Sequence, residues 1–340
     1  MAESIGPAVG LDLMGGDKAP HANVEACVAA LKKGVRIVAY GTSEAVAMLS
    51  SKGAFDNLTT RICEEVIAPD EHPLEAIRTK QGSSIRRGIE DVKSGSIGAF
   101  VSAGSTGALV AGGVLILGRA PGVDKPALAT VMPTKTGKGV LFLDLGASAD
   151  ARPQTLVQFA VMGDAYARWV LGWKDPSVYL LNIGTEPEKG SLDARRAYSL
   201  LEKAPVNFRG NIEARDVFTG AADIVVTDGF TGNIFLKTCE GTAEFQLEVI
   251  RREITSDLLR KVAALVLRPA FRRVREVLDY SAYGGAPLLG LSGCIVKCHG
   301  SSGVEAIENG VEQAKKYLEN DVSSVIRNTL SKTELEGERR

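Results

Sequence analysis

Six stretches of this sequence gather Gly with Ser, Thr, Asp or Asn. They are LDLMGGD at residues 11–17, VSAGSTGA at 101–108, LDLGAS at 143–148, LNIGTEPEKG at 181–190, VTDGFTGN at 226–233 and VKCHGSSG at 296–303. Glycine lets a ligand approach the backbone closely, and hydroxyl and amide groups donate hydrogen bonds. With Lys189 as a cation, this chemistry suits a tetrahedral oxyanion such as phosphate. The same residue types build ordinary turns, with Ser105 or Thr106 capping a following helix, and one loop can do both. Asp12, Asp17 and Asp228 would repel phosphate as bare carboxylates, so they are expected to fix loops by accepting backbone amides or holding a basic side chain. No G-x-G-x-x-G follows the first strand, and no P-loop, G-x-S-x-G elbow or H-E-x-x-H helix occurs. Cys294 and Cys298 lie beside His299, yet no second ligand pair with metal-site spacing appears, so no metal and no cofactor are expected.

Each cluster closes a short apolar run. The expected strands are Val9 to Leu13, Val35 to Tyr40, Ala99 to Ser102, Leu128 to Met132, Val140 to Leu143, Val178 to Asn182, Ile224 to Thr227 and Ile295 to Lys297. Helical patterns lie between them near residues 21–33, 43–52, 83–94, 106–117, 153–171, 191–202 and 303–318. Alternation of this kind predicts βαβ units around a largely parallel sheet, with ligands beyond the carboxyl ends of the strands.

The chain has 340 residues, 45% hydrophobic and 24% charged, enough for one large α/β domain over 1–330. The polar end at 331–340 is expected to fray. A formal net charge of −1 gives no reason to expect nucleic-acid binding. The first ten residues lack a basic segment followed by an apolar one, and no apolar run reaches the roughly 18 residues of a membrane span, which predicts a cytoplasmic protein. Five cysteines without a framework pattern fit reduced thiols.

Taken in order, LDLMGGDKAP, SAGSTGALVAGG, KPALATVMPT, GVLFLDLGAS, LVQFAVMG, LLNIGTEPEKGS, FRGNIEARDVF, DIVVTDGFTGNIFLKTCEG, DYSAYGGAPLLGL and VKCHGSSG resemble the PlsX family of phosphate acyltransferases over nearly the whole chain. The resemblance implies a three-layer α/β/α fold similar to the isocitrate and isopropylmalate dehydrogenases and to phosphotransacetylase, in a homodimer. It implies transfer of a fatty acyl group from acyl carrier protein to inorganic phosphate, giving acyl-phosphate for a membrane glycerol-3-phosphate acyltransferase of phospholipid synthesis. Two positions depart from the pattern: Ser105 and Ser148 stand where Asn is usual, keeping a hydrogen-bonding group with shorter reach.

Phosphate is already an anion and a thiol leaves readily, with a reference pKa of about 8.5, so orientation and charge stabilisation matter more than a strong general base. The family motif assigns Lys189 to orient or neutralise phosphate and Asn233 to donate to the developing oxyanion. The residues alone also allow Lys189 to pair with Glu186 or Glu188, and Asn233 to cap a helix. The expected binding residues are Gly15, Gly16 and Asp17; Ser102, Gly104, Ser105, Thr106 and Gly107; Gly184; Asp228, Gly229 and Gly232; and His299, Gly300, Ser301 and Ser302.

From Arg251 to Arg275 the chain carries eight Lys or Arg against two acids, Glu253 and Asp257. Ile254, Leu258, Val262 and Val266 form one helical stripe up to Pro269, where a second helix is expected with Phe271, Val274 and Leu278. A basic amphipathic hairpin over about 251–280 suits an anionic membrane surface, and Leu258, Arg260, Lys261, Val262, Arg268, Arg272 and Arg273 are its expected contacts with membrane or carrier protein. A subunit interface or core helix pair gives the same periodicity. An oxidoreductase on the related fold would need a nicotinamide site and clustered metal-binding aspartates, and neither can be assembled from this sequence.

Overall fold

The computed structural model describes residues 7–278 and 284–337. Twelve strands appear in chain order among them: β1 Val9–Asp12, β2 Ile37–Gly41, β3 Leu58–Ile62, β4 Ala99–Ser102, β5 Ala127–Leu128, β6 Thr130–Met132, β7 Val140–Leu143, β8 Ser177–Asn182, β9 Asn207–Glu213, β10 Ile224–Val226, β11 Ala286–Leu289 and β12 Cys294–Lys297. They form a seven-stranded sheet in the order β3-β2-β1-β4-β12-β11-β5 and a five-stranded sheet in the order β6-β7-β10-β8-β9. The pairs around β1, β4 and β12, and those around β7, β10 and β8, are parallel; the antiparallel pairs all involve β5, β6 or β11.

The stretch expected as one strand from Leu128 to Met132 divides at Ala129. Leu128 pairs with Leu288 in the first sheet, and Thr130 pairs with Phe142 in the second. One continuous segment therefore stitches the sheets together.

Alternating side chains explain the layers. Val9, Leu11, Ala99, Val101, Leu141, Leu143, Ile224 and Val226 enter one core, while Val38, Tyr40, Phe100, Val140, Phe142 and Val225 enter the other. Each sheet thus contributes apolar residues from both of its faces, which requires helices on both sides. The first core is covered by α1 His21–Lys32, α6 Pro153–Trp169, α10 Val304–Glu319 and α11 Val322–Gly337. α2 Ser43–Ser50 and α7 Leu192–Leu201 flank that side. The second is covered by α3 Pro73–Thr79, α4 Ser84–Ser94 and α5 Thr106–Gly112, which continues as a short wider turn to Leu117. The result is a three-layer α/β fold.

Two long helices extend the second sheet, α8 Gly229–Ile254 and α9 Leu258–Leu278. Here the structure corrects the sequence reading. The break lies at residues 255–257, not at Pro269, which sits inside α9. Thr255 and Ser256 turn their hydroxyls back onto the carbonyls of Arg251 and Glu253, and the Asp257 carboxylate accepts the Arg260 amide at 2.9 Å, starting the new helix. Ile254 therefore belongs to a different helix from Leu258, Val262 and Val266. Residues 279 and 280, at the end of the expected hairpin, lie outside the described residues. The C-terminal segment from 331, expected to fray, is helical as far as Gly337; residues 338–340 lie outside the described residues.

Candidate active site

β1, β4 and β12 are neighbours, and their carboxyl ends deliver three of the glycine loops to one place. The Asp12 carboxylate is buried and organises the first two: one oxygen accepts the Met14 amide at 2.9 Å, and the other accepts the Ser102 hydroxyl at 2.6 Å. Ser102 Oγ in turn accepts the Gly104 amide at 3.0 Å. Burial raises the Asp12 pKa, against the hydrogen bonds that favour its anion. Gly15 packs so tightly here that a Cβ would stand 2.4 Å from the Gly104 nitrogen. The third loop joins through the Asp17 amide, which donates to Gly300 O at 2.8 Å, and the Cys298 amide, which donates to Ser102 O at 2.9 Å.

Two lysines tie these loops, and neither stood out in the sequence. Lys18 Nζ donates to Ser301 O at 2.7 Å and lies 3.8 Å from where a Cβ on Gly303 would sit. Lys297 is buried, and its ammonium donates to Ala103 O at 3.4 Å and to Cys298 O. Burial pushes its pKa down to about 8, against the attraction of Asp17 and Asp12. His299 Nδ1 accepts the Ser301 amide at 3.2 Å, so a neutral ring carries its proton on Nε2. Partial desolvation, and next the Lys297 charge, lower the His299 pKa and favour that neutral form.

The helix starts in this region differ in one respect. α5 is capped by Ser105, whose hydroxyl accepts the Ala108 amide at 3.4 Å, and α8 by Asp228, whose carboxylate accepts the Thr231 amide at 2.8 Å. α10 has Gly303 at its cap position, and among the described residues no side-chain hydrogen bond caps it. Ser302, one residue earlier, is buried, and its hydroxyl has no hydrogen-bond partner among the described residues. An uncapped sixteen-residue helix end, an orphan hydroxyl and the Lys18 ammonium together provide donors and positive charge for a small anion.

The second sheet supplies the other half. Asp144, at the end of β7, is fully buried: one carboxylate oxygen accepts the amides of Leu128, Gly146 and Ala147, the other the amide and hydroxyl of Ser148. Desolvation raises its pKa. The start of α8 is pressed against this loop, since a Cβ on Gly232 would fall 1.9 Å from Asp144 O. Asn233 is thereby held over Gly146, its Oδ1 at 3.5 Å from a Cβ built there. It is exposed and does not cap the helix, because Asp228 does.

Lys189 stands in the loop that follows β8, beside β10 in the sheet. This loop is held by Asn182, donating to Lys189 O at 3.1 Å, and by Asn211, donating to Glu186 O at 2.8 Å. Among the described residues the exposed Lys189 ammonium forms no ion pair, so neither Glu186 nor Glu188 neutralises it. Asn211 Oδ1 is another buried polar atom without a partner among the described residues. The halves are bridged by α8, where Lys237 and Glu240, paired at 2.7 Å, are close enough for both charges to act on His299. Asn233 precedes Lys237 by one turn, about 6 Å along the axis.

Three loops, with Asp17, Ser102, Gly104, His299 and Gly300 among them, therefore interlock. Asp228, Gly229, Gly232 and Asn233 form a second group against Asp144. Gly184 and Lys189 lie in the loop that follows β8, next to β10 in the same sheet. Gly107 is packed against Pro73 behind the loop. Thr106 begins α5, and Ser105 serves as its cap.

The sequence matches the model of a fatty acid synthesis protein family over residues 8–325. It is 44% identical over 328 residues to a phosphate acyltransferase of Lysinibacillus sphaericus, covering 96% of this chain and 99% of that one. It is 41% identical over 329 residues to a phosphate acyltransferase of Brevibacillus brevis, covering 96% and 98%. The chain belongs to the PlsX family of phosphate acyltransferases. It is an acyltransferase of fatty acid synthesis.

The fold agrees with that membership. A phosphotransacetylase from Streptococcus pyogenes superposes with a TM-score of 0.60 at 18% identity, over 92% of this chain and 94% of that one. A 4-hydroxythreonine-4-phosphate dehydrogenase from Klebsiella pneumoniae superposes with a TM-score of 0.52 at 13% identity, over 93% and 99%. The cluster built from these loops contains two cations, Lys18 and Lys297, that sequence reasoning passed over. Their signal was adjacency: Lys18 directly follows one glycine cluster, and Lys297 lies inside another.

Proposed function

We propose that the protein transfers a fatty acyl group from the thioester of acyl carrier protein to inorganic phosphate. The observation that carries this reading is the open start of α10, where Ser302 Oγ is buried without a partner among the described residues and Lys18 supplies charge. Phosphate seated there meets donors and positive charge from the loops that follow β12 and β1. An oxygen of the phosphate attacks the thioester carbonyl carbon, forming a C–O bond. The C–S bond breaks, the thiolate leaves with its electron pair, and the proton carried by the monohydrogen phosphate ends on the thiol. Negative charge gathers on the carbonyl oxygen as the bond forms, and the Asn233 amide is the donor for it. Lys189, on the same edge, orients or neutralises phosphate.

An acidic carrier finds a cationic recess beside this edge. A cavity of about 740 Å³ is lined by Arg152, Arg195, Arg196 and Lys203 together with Leu192 and Leu200. α7, which contributes most of that lining, begins three residues after Lys189. The product is handed to a membrane glycerol-3-phosphate acyltransferase from a peripheral position on an anionic bilayer. That position is supported by α9, which leaves Leu258, Leu259, Val262 and Val266 largely exposed beside Arg260, Lys261, Arg268, Arg272 and Arg273.

The test is direct. Purified protein, acyl-carrier-protein thioester and phosphate are incubated, and acyl-phosphate is followed by phosphorus NMR against released thiol. Equal amounts of the two support the reading; thiol release with free fatty acid only, or no release, removes it.

A further inference from the structure

Between α8, α9 and the end of β6 runs a groove of about 1310 Å³. Ligand pockets for small molecules usually measure about 300–1,000 Å³, so this one suits a longer guest. Most of its exposed surface is apolar, with Met132, Phe218, Leu236, Leu247, Leu265 and Phe271 contributing, and charged residues such as Glu244, Glu248 and Arg251 also line it. The same groove is lined by His299 and Ser301, which belong to the loop at the open end of α10. An apolar trough thus opens onto the proposed phosphate seat.

Length agrees as well. The groove follows α8 from Leu236 to Ile254, about 27 Å at 1.5 Å per residue. An extended acyl chain filling one leaflet of a bilayer needs about 15 Å, half of the hydrocarbon core. Measured from Glu240, whose charge acts on His299, that distance ends near Ile250. On α9, Lys261, Ala264, Leu265, Arg268 and Phe271 line the groove, whereas Leu259, Val262 and Val266 are exposed and do not.

We infer that this groove holds the fatty acyl chain of the donor, with its carbonyl end at the His299 loop and its methyl end toward Ile250 and Ile254. The inference rests on the acyl-transfer reading above and adds where the chain lies and what measures its length. Burying each methylene is worth about fourfold in affinity, so a blocked groove discriminates by chain length. Ala243 and Ile250 both line it, at about 4.5 Å and 15 Å beyond Glu240 along the helix.

The experiment compares Ala243→Trp and Ile250→Trp with the wild-type chain on acyl-carrier-protein thioesters of eight, twelve and sixteen carbons. Binding of a fluorescent sixteen-carbon fatty acid is measured in parallel. Ala243→Trp is expected to lower the sixteen-to-eight-carbon ratio of kcat/KM tenfold or more, with the loss for Ile250→Trp confined to the longest chain. Fatty-acid binding should weaken in the same order. Unchanged ratios in both folded variants overturn the inference, and so does a uniform loss accompanied by a change of oligomeric state in sedimentation, which would make the groove a subunit interface. Should Ala243→Trp fail to fold by circular dichroism, Ala264→Trp blocks the same stretch from the opposite wall. If the wild-type chain forms no acyl-phosphate, the transfer reading falls alone, and the binding series still decides where the chain lies.

Discussion

Asn233 and Lys189 are both exposed and both free of the structural duties their sequence context allowed them. Asn233→Ala and Lys189→Ala are each expected to lower kcat by about 10²–10³, the scale of losing one oxyanion donor, with circular dichroism and melting unchanged. Near wild-type turnover removes the residue concerned from the mechanism. Lys297 adds a pH signature. Its folded pKa is about 8 and its ordinary value 10.5, so between these limits the unfolded chain binds more protons and stability rises with pH. Below pH 8 the ammonium is charged in both states, and its burial is a constant cost. Lys297→Met should therefore erase a stability rise of up to about 3 kcal/mol between pH 8 and 10.5, read as the difference between the two urea titrations. If the ammonium also neutralises phosphate, the KM for phosphate of the wild-type chain climbs above pH 8 and that of the variant does not. That the glycine and hydroxyl clusters form tight loops at the strand ends was legible in the sequence because only a few residue types serve such turns. Lys297 was not, since in CIVKC it looks like a polar residue ending an apolar strand.

At the scale of elements, the strands with apolar alternation and the helices between them were readable. β3, β9 and β11 were not. β3 is LTTRI with four of five residues exposed, β9 is polar apart from Phe208 and Ile212, and β11 contains a proline. The α8–α9 break shows local chemistry overriding a breaker: Ser256 and Asp257 close and open helices, while Pro269, on an exposed helix, leaves a carbonyl that water can reach. Two predictions belong here. Leu258→Glu with Val262→Glu should abolish co-sedimentation with anionic vesicles at low salt; binding that persists would count against a membrane role for α9. Arg195→Glu with Arg196→Glu should raise KM for the acyl carrier at least tenfold and flatten its salt dependence with kcat retained. An unchanged KM would place carrier docking elsewhere.

For the molecule as a whole, the alternation of short apolar runs with helical patterns announced parallel strands, but it did not reveal two sheets. That division rests on Ala129, where one apolar run changes partners, and nothing in KPALATVMPT marks the switch. The resemblance of ten ordered motifs carried the fold and the acyltransferase assignment further than periodicity alone. What no motif could supply was the relation between loops far apart in sequence, such as Asp12 with Ser102, or Asp17 with Gly300.

The central claim is that loops from separate strands converge on one anion at the open start of α10. Crystals grown without phosphate or sulfate and then soaked in millimolar phosphate test it most directly. The account predicts anion density bonded to Ser302 Oγ and the first amides of α10, within reach of Lys18, and lost in Ser302→Ala crystals. Phosphate that leaves this end empty and binds at an unrelated surface would contradict it.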